Sequence, residues 1–304
     1  MDSKNHRTVK SKSLILVVVI VAVVLVAWLG YTQAQSFVAA NILGENDGQI
    51  ELKSHKAIYD LELHSVTSGT KLINLDGQMY FSWERQCSGW ASDHRFNLLY
   101  EYADTPGVRV TSDFSTFEDA ANTKFSFSSI RKKDGVQYEN INGHADKSED
   151  GAVASFKSPE GLEIDLGADI LFPSEHTRIM LENARQGKKF FTATVFDGSD
   201  AKGPSVINGF ISDANALSRP REVSFELPDR VSGSSLLKGK SYLIRLAFFP
   251  IAQDNAEPEY EMTVRLYENG VISEMFIEYN DFSVIQKLTA LEEIQEQECG
   301  IENE

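Results

Sequence analysis

The sequence is poor in the residues on which most enzymes and nucleic-acid-binding proteins depend. Its 304 residues include two cysteines and six histidines, and 29 Lys and Arg stand against 45 Asp and Glu, for a net charge of −16. So few basic side chains exclude binding to nucleic acid through bulk charge, which requires Lys and Arg to neutralise phosphates. Two cysteines are too few for a small scaffold held by many disulfides. With 42% hydrophobic and 24% charged residues, the chain is nevertheless globular rather than disordered.

A recognisable catalytic or metal-binding motif is also lacking. No second histidine lies at helical spacing from His176, and a zinc site needs three or four ligands. Ser199 follows Gly198 but lacks the Gly-x-Ser-x-Gly pattern of a nucleophile elbow, so we interpret it as part of a turn. We interpret Glu175 and His176 as the capped start of a helix, with a metal or acid–base pair as the alternative. We therefore predict no catalytic residue, no cofactor and no metal.

One long hydrophobic run lies near the N-terminus. Residues 14–29 are all apolar, and four basic residues precede them against a single acidic one. A basic flank stays in the cytoplasm, so the rest of the chain is expected to be exported. Two interpretations remain open for residues 1–35, a cleaved signal peptide and an uncleaved helical membrane anchor, because the run lies between the usual lengths of the two. Residues 36–50 are interpreted as a tether, and residues 51–304 as one exported domain.

Alternation of apolar and polar residues dominates the body from Ala57 to Ile285. This period of two is typical of half-buried antiparallel strands. The clearest runs are Tyr59–Leu63, Met79–Trp83, Leu162–Leu166, Val223–Leu227, Tyr242–Phe248 and Tyr260–Leu266. We count roughly 12–14 strands, and a sheet of that size seldom stays open and flat. The pattern predicts a mainly β fold with a single highly curved antiparallel sheet, a β-spiral or open barrel.

Turn residues interrupt these runs. Asn-Gly and Asp-Gly pairs adopt the positive φ angles that tight turns require. They predict turns at Leu75-Asp76-Gly77, Asp134-Gly135, Asn142-Gly143, Asp197-Gly198 and Asn269-Gly270.

Two helices are predicted within the body. The first is inserted among the strands near residues 174–187, with Ser174 as N-cap and Gly187 at its C-terminal end. The second is a short acidic helix over residues 288–297, because Leu288 and Leu291 share one helical face.

Cys87 and Cys299 are the strongest candidate pair in the sequence. They are 212 positions apart in a chain expected to reach a compartment where disulfides persist. Closing so long a loop stabilises a fold by about 5 kcal/mol in the chain-entropy model. Two free or buried thiols remain the alternative.

Phenylalanine is abundant, with 18 residues, many of them on predicted inner strand faces. We interpret them as core filling. The alternative is that the curved sheet leaves an apolar cavity for a lipid or an acyl chain.

Several short stretches occur together in an order that resembles one family. They are His55–Leu61, Gly77–Met79, Gln86–Trp90, Leu171–His176, Phe196–Asp200, Leu266–Val271, Asp281-Phe282 and the late Cys299. Together they resemble the cell envelope integrity protein EipB family of alphaproteobacteria, formerly a domain of unknown function. The resemblance covers residues 55–299.

The resemblance implies a periplasmic β-spiral, loosely similar to the lipoprotein carriers of the Lol system. It also implies a disulfide between Cys87 and Cys299, and no catalytic residues come with it. We therefore expect a non-enzymatic protein of the Gram-negative periplasm, either soluble or tethered to the inner membrane by its N-terminal helix. Its expected role is to support envelope integrity by binding a periplasmic tetratricopeptide-repeat protein. The alternatives are a carrier of a lipid or a lipoprotein acyl chain, and an envelope hydrolase that uses Glu175 and His176 or carboxylates on the strands.

Overall fold

The structure, a computed structural model, describes residues 50–213, 226–252, 256–296 and 299. The predicted leader or anchor and nearly all of the predicted tether lie outside these residues. Val223 and Phe225 of one predicted strand also lie outside them, and Leu227 of the same run belongs to no strand. Among the helices that the structure describes, none has the length and apolar character needed to cross a membrane.

The described residues form 15 strands, two α-helices and one 3₁₀ helix. The first eight strands are β1 (His55–Val66), β2 (Leu72–Gln86), β3 (Gly89–Tyr102), β4 (Thr105–Asp119), β5 (Lys124–Lys133), β6 (Val136–Ser148), β7 (Gly151–Ser158) and β8 (Glu163–Gly167). The remaining elements are β9 (Ile170–Leu171), α1 (Pro173–Arg185), β10 (Phe190–Val195), β11 (Ser205–Asp213), α2 (Asp229–Ser232), the 3₁₀ helix (Ser235–Leu237), β12 (Ser241–Pro250), β13 (Tyr260–Tyr267), β14 (Ile272–Tyr279) and β15 (Phe282–Glu293).

All 15 strands belong to a single sheet, which confirms the predicted fold class with slightly more strands than the 12–14 expected. The order is β8 to β1, then β15 to β9, and every neighbouring pair is antiparallel except β9 and β10. The two edge strands, β8 and β9, are consecutive in the chain, and only residues 168 and 169 separate them. The two edges must therefore lie near each other, and the sheet is a nearly closed, barrel-like spiral.

The antiparallel order places the turns at two ends of the sheet. One end, here called the rim end, carries the β1–β2, β3–β4, β5–β6, β12–β13 and β14–β15 turns. The opposite end, here called the disulfide end, carries the β2–β3 turn with Cys87 and the C-terminal end of β15.

Three of the predicted turns are confirmed and two are wrong. Asp134-Gly135 and Asn269-Gly270 lie in the β5–β6 and β13–β14 turns, and Asp197-Gly198 lies in the loop after β10. Leu75-Asp76-Gly77 lies within β2, and Asn142-Gly143 lies within β6. At Gly143 the register with β7 shifts, and an added Cβ would meet the Ser155 carbonyl oxygen at 2.5 Å. This Asn-Gly pair therefore marks a bulge with close backbone approach rather than a turn.

The predicted C-terminal helix over residues 288–297 is wrong, because β15 continues to Glu293 and pairs with β1. Tyr59 pairs with Leu288, but Ala57 pairs with Leu291, since the register shifts between them. Both Ala57 and Tyr59 are buried on the inner face. The bulge thus puts two leucines three positions apart on one strand face, a spacing that imitates a helix.

The interior contains two main hydrophobic clusters. The larger joins the inner faces of β1, β2 and β11–β15 to Met180, Leu181 and Ala184 of α1. The second joins the inner faces of β5–β8 to Ile170, Phe172 and Phe196 and is rich in phenylalanine. Helix α1 therefore packs against the inner face of the curved sheet.

Candidate functional site

Helix α1 is held in place by a side chain from a distant strand. It begins at Pro173 after the N-cap residue Phe172, so the prediction of Ser174 as N-cap is wrong by two positions. Instead, the Glu118 carboxylate of β4 accepts hydrogen bonds from the backbone N–H groups of Ser174 at 2.8 Å and Glu175 at 2.9 Å. An anion is favourable at a helix N-terminus, although burial of the Glu118 carboxyl raises its pKa. The contact fixes the start of α1 to the sheet.

Glu175 and His176 do not form a joint site. The Glu175 carboxylate pairs with Lys147 of β6 at 2.8 Å. His176 is buried, and the centroid of its ring lies 6.0 Å from that of Phe191. Within the described ranges, no group of three or more His, Cys, Asp or Glu is arranged to hold a metal ion. The geometry therefore favours the interpretation of this pair as part of the helix start.

The burial of His176 predicts that the stability of the fold depends on pH. Burial lowers the pKa of His176 to about 4, from an ordinary value of 6.5. Between these two pH values the unfolded state binds more protons than the folded state does. The contribution of the neutral His176 to the free energy of unfolding is therefore complete above pH 6.5 and is lost as the pH falls. We expect the free energy of unfolding to fall by about 2 kcal/mol from this residue between about pH 7 and pH 5. Urea titrations at both pH values should show a smaller loss in His176→Gln, and an unchanged loss would contradict the assignment.

An apolar cavity of about 340 Å³ lies between α1 and the inner faces of β1–β4 and β13–β15. No Asp, Glu, Lys or Arg is among the residues that line it. His94 is part of the wall, between the rings of Phe81 and Phe114 at centroid distances of 4.8 and 5.5 Å. Burial lowers the pKa of His94 to about 4, so the ring is neutral at pH 7. The cavity therefore presents an uncharged interior.

Methionine is concentrated at this cavity. The sequence has five methionines, and all of them except Met1 line the wall, namely Met79, Met180, Met262 and Met275. The methionine side chain is flexible and polarizable, and it is common at apolar surfaces that adapt to differently shaped ligands. This composition suits the binding of an apolar molecule.

Most polar groups in the wall are already paired within the protein. The hydroxyls of Ser92 and Thr116 lie 2.7 Å apart. The Tyr59 hydroxyl donates to the Ile272 carbonyl oxygen at 2.7 Å. These groups stabilise the wall and leave few sites for a polar ligand atom.

The structure joins Cys87 and Cys299 in a disulfide, with Cα atoms 5.4 Å apart. The bond ties the segment after β15 to the β2–β3 turn.

Comparison with known proteins agrees with this architecture. A family model described as EipB-like matches residues 46–295. The chain belongs to the EipB-like family. The cell envelope integrity protein EipB of Brucella abortus (strain 2308) is 26% identical to it over 268 residues, covering 87% of this chain and 89% of the relative. A crystal structure of a beta-barrel-like protein of a domain of unknown function from Brucella abortus matches with a TM-score of 0.72 and 25% identity, over 81% of this chain and 99% of that chain. The family resemblance inferred from the sequence is confirmed.

Sequence reasoning missed two residues of the cavity region, Glu118 and Gln286. Glu118 lies 56 residues before Ser174, and no local pattern links it to the start of a helix. Gln286 lies on the inner face, although its sequence context gives no sign of burial.

Proposed function

We propose that this protein supports cell envelope integrity from the periplasm by binding a protein partner, without catalysing a reaction. The observation that carries the proposal is membership of the EipB-like family over residues 46–295, together with a Brucella abortus relative named for cell envelope integrity. The basic flank before the apolar run at residues 14–29 supports export.

A group of exposed apolar side chains at the rim end supports partner binding. Six of the nine large apolar side chains exposed among the described residues lie there, and we call them the apolar rim: Val66, Ile73, Val136, Tyr138, Ile251 and Tyr279. Apolar side chains exposed at one end of the sheet can contact a partner that covers that end. The partner we propose is a periplasmic tetratricopeptide-repeat protein, because such solenoids present extended concave surfaces that suit a protruding rim.

Carriage of a lipid or a lipoprotein acyl chain is a second candidate function. The uncharged cavity with its four methionines is the observation that favours it.

Capture from crosslinked envelopes tests the partner proposal. We expect wild-type protein to capture a repeat protein, and Tyr138→Asp to lose most of it because a charge enters the apolar rim. Phe190→Asp is the matched control, since Phe190 is exposed at the disulfide end, and it should keep the partner. Capture by Tyr138→Asp at the wild-type level would contradict the proposed surface. Native mass spectrometry of the same sample would favour the carrier candidate if a lipid co-purifies.

A further inference from the structure

A continuous row of aromatic rings crosses the inner face of β12–β15 at the rim end. The rings of Phe248 and Tyr260 stack with their centroids 4.3 Å apart. The centroid of the Tyr279 ring lies 5.8 Å from that of Tyr260 and 4.8 Å from that of Phe282. We call these four residues the aromatic row. None of them is among the residues that line the cavity beside α1, so the row is a separate feature.

Three further tyrosines lie at the same end of the sheet. Tyr100, Tyr102 and Tyr138 line a groove of about 400 Å³, in which Lys133 is the one charged lining residue. Burial raises the pKa of Tyr100 to about 12, and the neighbouring phenols of Tyr279, Tyr102 and Tyr138 act in the same direction. The groove and the aromatic row therefore belong to one opening, which holds five of the ten tyrosines of the chain. Tyrosine provides a large and rigid contact area, and it is enriched at surfaces that recognise partners.

The loop after β10 brings a carboxylate to the aromatic row. Gly198 packs on the Phe127 ring so closely that an added Cβ would meet a ring carbon at 2.4 Å, and the loop therefore turns toward the interior. Solvent reaches the Asp197 side chain, but the surrounding protein buries its carboxylate enough to raise its pKa. Burial also raises the pKa of Tyr260, and the charge of Asp197 adds to this effect. Asp197 and Tyr260 thus face the same space.

The Asp197 carboxylate has no ion pair among the residues that the structure describes. It accepts a hydrogen bond from the Ser199 N–H at 2.9 Å. The two cations of this region are paired elsewhere, Arg131 with Glu139 at 2.5 Å and Lys202 with Glu259 at 2.7 Å. A partly desolvated anion without a counter-ion is unfavourable, and a cation that enters the opening would pair it.

The combination of a carboxylate and exposed aromatic rings favours one kind of cation. A cation is attracted to the face of a tyrosine ring, and Tyr279 is 40% exposed. A guanidinium is planar, so it can stack on a ring while it donates two parallel hydrogen bonds to a carboxylate. An ammonium group is compact and strongly hydrated, and it cannot do both in this way.

We propose that the rim-end opening binds an arginine side chain of a protein partner, whose guanidinium stacks on Tyr279 and pairs with the Asp197 carboxylate. A basic group on the partner also complements the net charge of −16 of this chain. The inference rests on the proposed partner binding, and it names the chemical group that the partner presents.

Two matched peptides test the assignment on the exported chain, as processed by the cell. Each is a capped pentapeptide of alanine whose central residue is either arginine or citrulline, the neutral isostere of arginine. We expect NMR titrations of wild-type protein to show about tenfold tighter binding of the arginine peptide, because only the guanidinium carries the charge that Asp197 and Tyr279 attract.

Asp197→Asn should reduce this ratio to within about twofold and keep the fold, because the amide oxygen still accepts the Ser199 N–H. Asp165→Asn is the matched control. The Asp165 carboxylate accepts the Gly167 N–H at 2.9 Å in the same manner, but it is exposed on β8, so the tenfold ratio should remain. Tyr279→Leu should lower the ratio to about threefold, whereas Tyr279→Phe should preserve it because the ring is retained.

Four outcomes would contradict a part of this assignment. Equal wild-type affinities for the two peptides would overturn arginine recognition, and a tenfold ratio in Asp197→Asn would overturn the role of that carboxylate. Preferred binding of tetramethylammonium over the arginine peptide would overturn the protein partner in favour of a choline headgroup. Capture of a repeat protein together with equal peptide affinities would refute this inference and leave the proposed function standing. Arginine selectivity without a captured partner would refute the proposed function instead.

Discussion

Replacing both Cys87 and Cys299 by serine is expected to lower the free energy of unfolding by about 5 kcal/mol and the melting temperature by roughly 10–20 °C. The disulfide closes a loop of 212 positions, which contains every strand from β3 to β15. Without the bond, the unfolded chain gains the conformational freedom of that loop. The bond also ties the segment after β15 to the β2–β3 turn, so its loss frees the end of the strand that pairs with β1.

Thermal and urea unfolding under oxidising and reducing conditions measure this effect. Wild-type protein should lose stability when reductant is added, and the double variant should be insensitive to it. Each single variant should match the double variant, because either substitution breaks the same bond. Equal melting temperatures for wild-type protein with and without reductant would contradict the expected stabilisation.

The fold was predictable because its main signal is local. Along β1, buried Ala57, Tyr59 and Leu61 alternate with less buried neighbours, and this pattern is legible in the sequence. A β-bulge in β15 changes which residues of the strand face the interior. The spacing of apolar residues over 288–293 therefore resembles that of a helix. There the hydrogen bonds that β15 makes to β1 outweigh a weak local helical preference.

The cavity region was not predictable because its contacts join residues far apart in the chain. Glu118 and Ser174 meet only when β4 and α1 have packed together. Gln286 resembles any polar residue of a strand until its neighbours Leu61 and Met275 place it on the inner face. Period-two alternation specifies which residues form a strand, but it does not reveal the occasional polar side chain on the buried face.

Phe172→Ala is expected to lower the free energy of unfolding by about 4 kcal/mol, the second-largest effect. Phe172 is fully buried at the start of α1, and its ring stacks on Phe125 with centroids 4.9 Å apart. The Lys147 ammonium lies 4.4 Å from the centroid of the same ring. Truncation leaves a void between α1 and the strands of the second core cluster and also removes this cation–π contact. Urea unfolding at neutral pH measures the loss.

Phe190→Ala is the matched control for this prediction. Phe190 is 75% exposed at the start of β10, so the same truncation there should cost less than about 1 kcal/mol. Because Pro173, Ser174, Thr177 and Met180 of α1 line the cavity, Phe172→Ala should also loosen this part of the cavity wall, whereas Phe190→Ala should leave it unchanged. Equal losses of stability in the two variants would mean that Phe172 does not anchor α1, whose start would then be attached to the sheet by its polar contacts with Glu118 and Lys147.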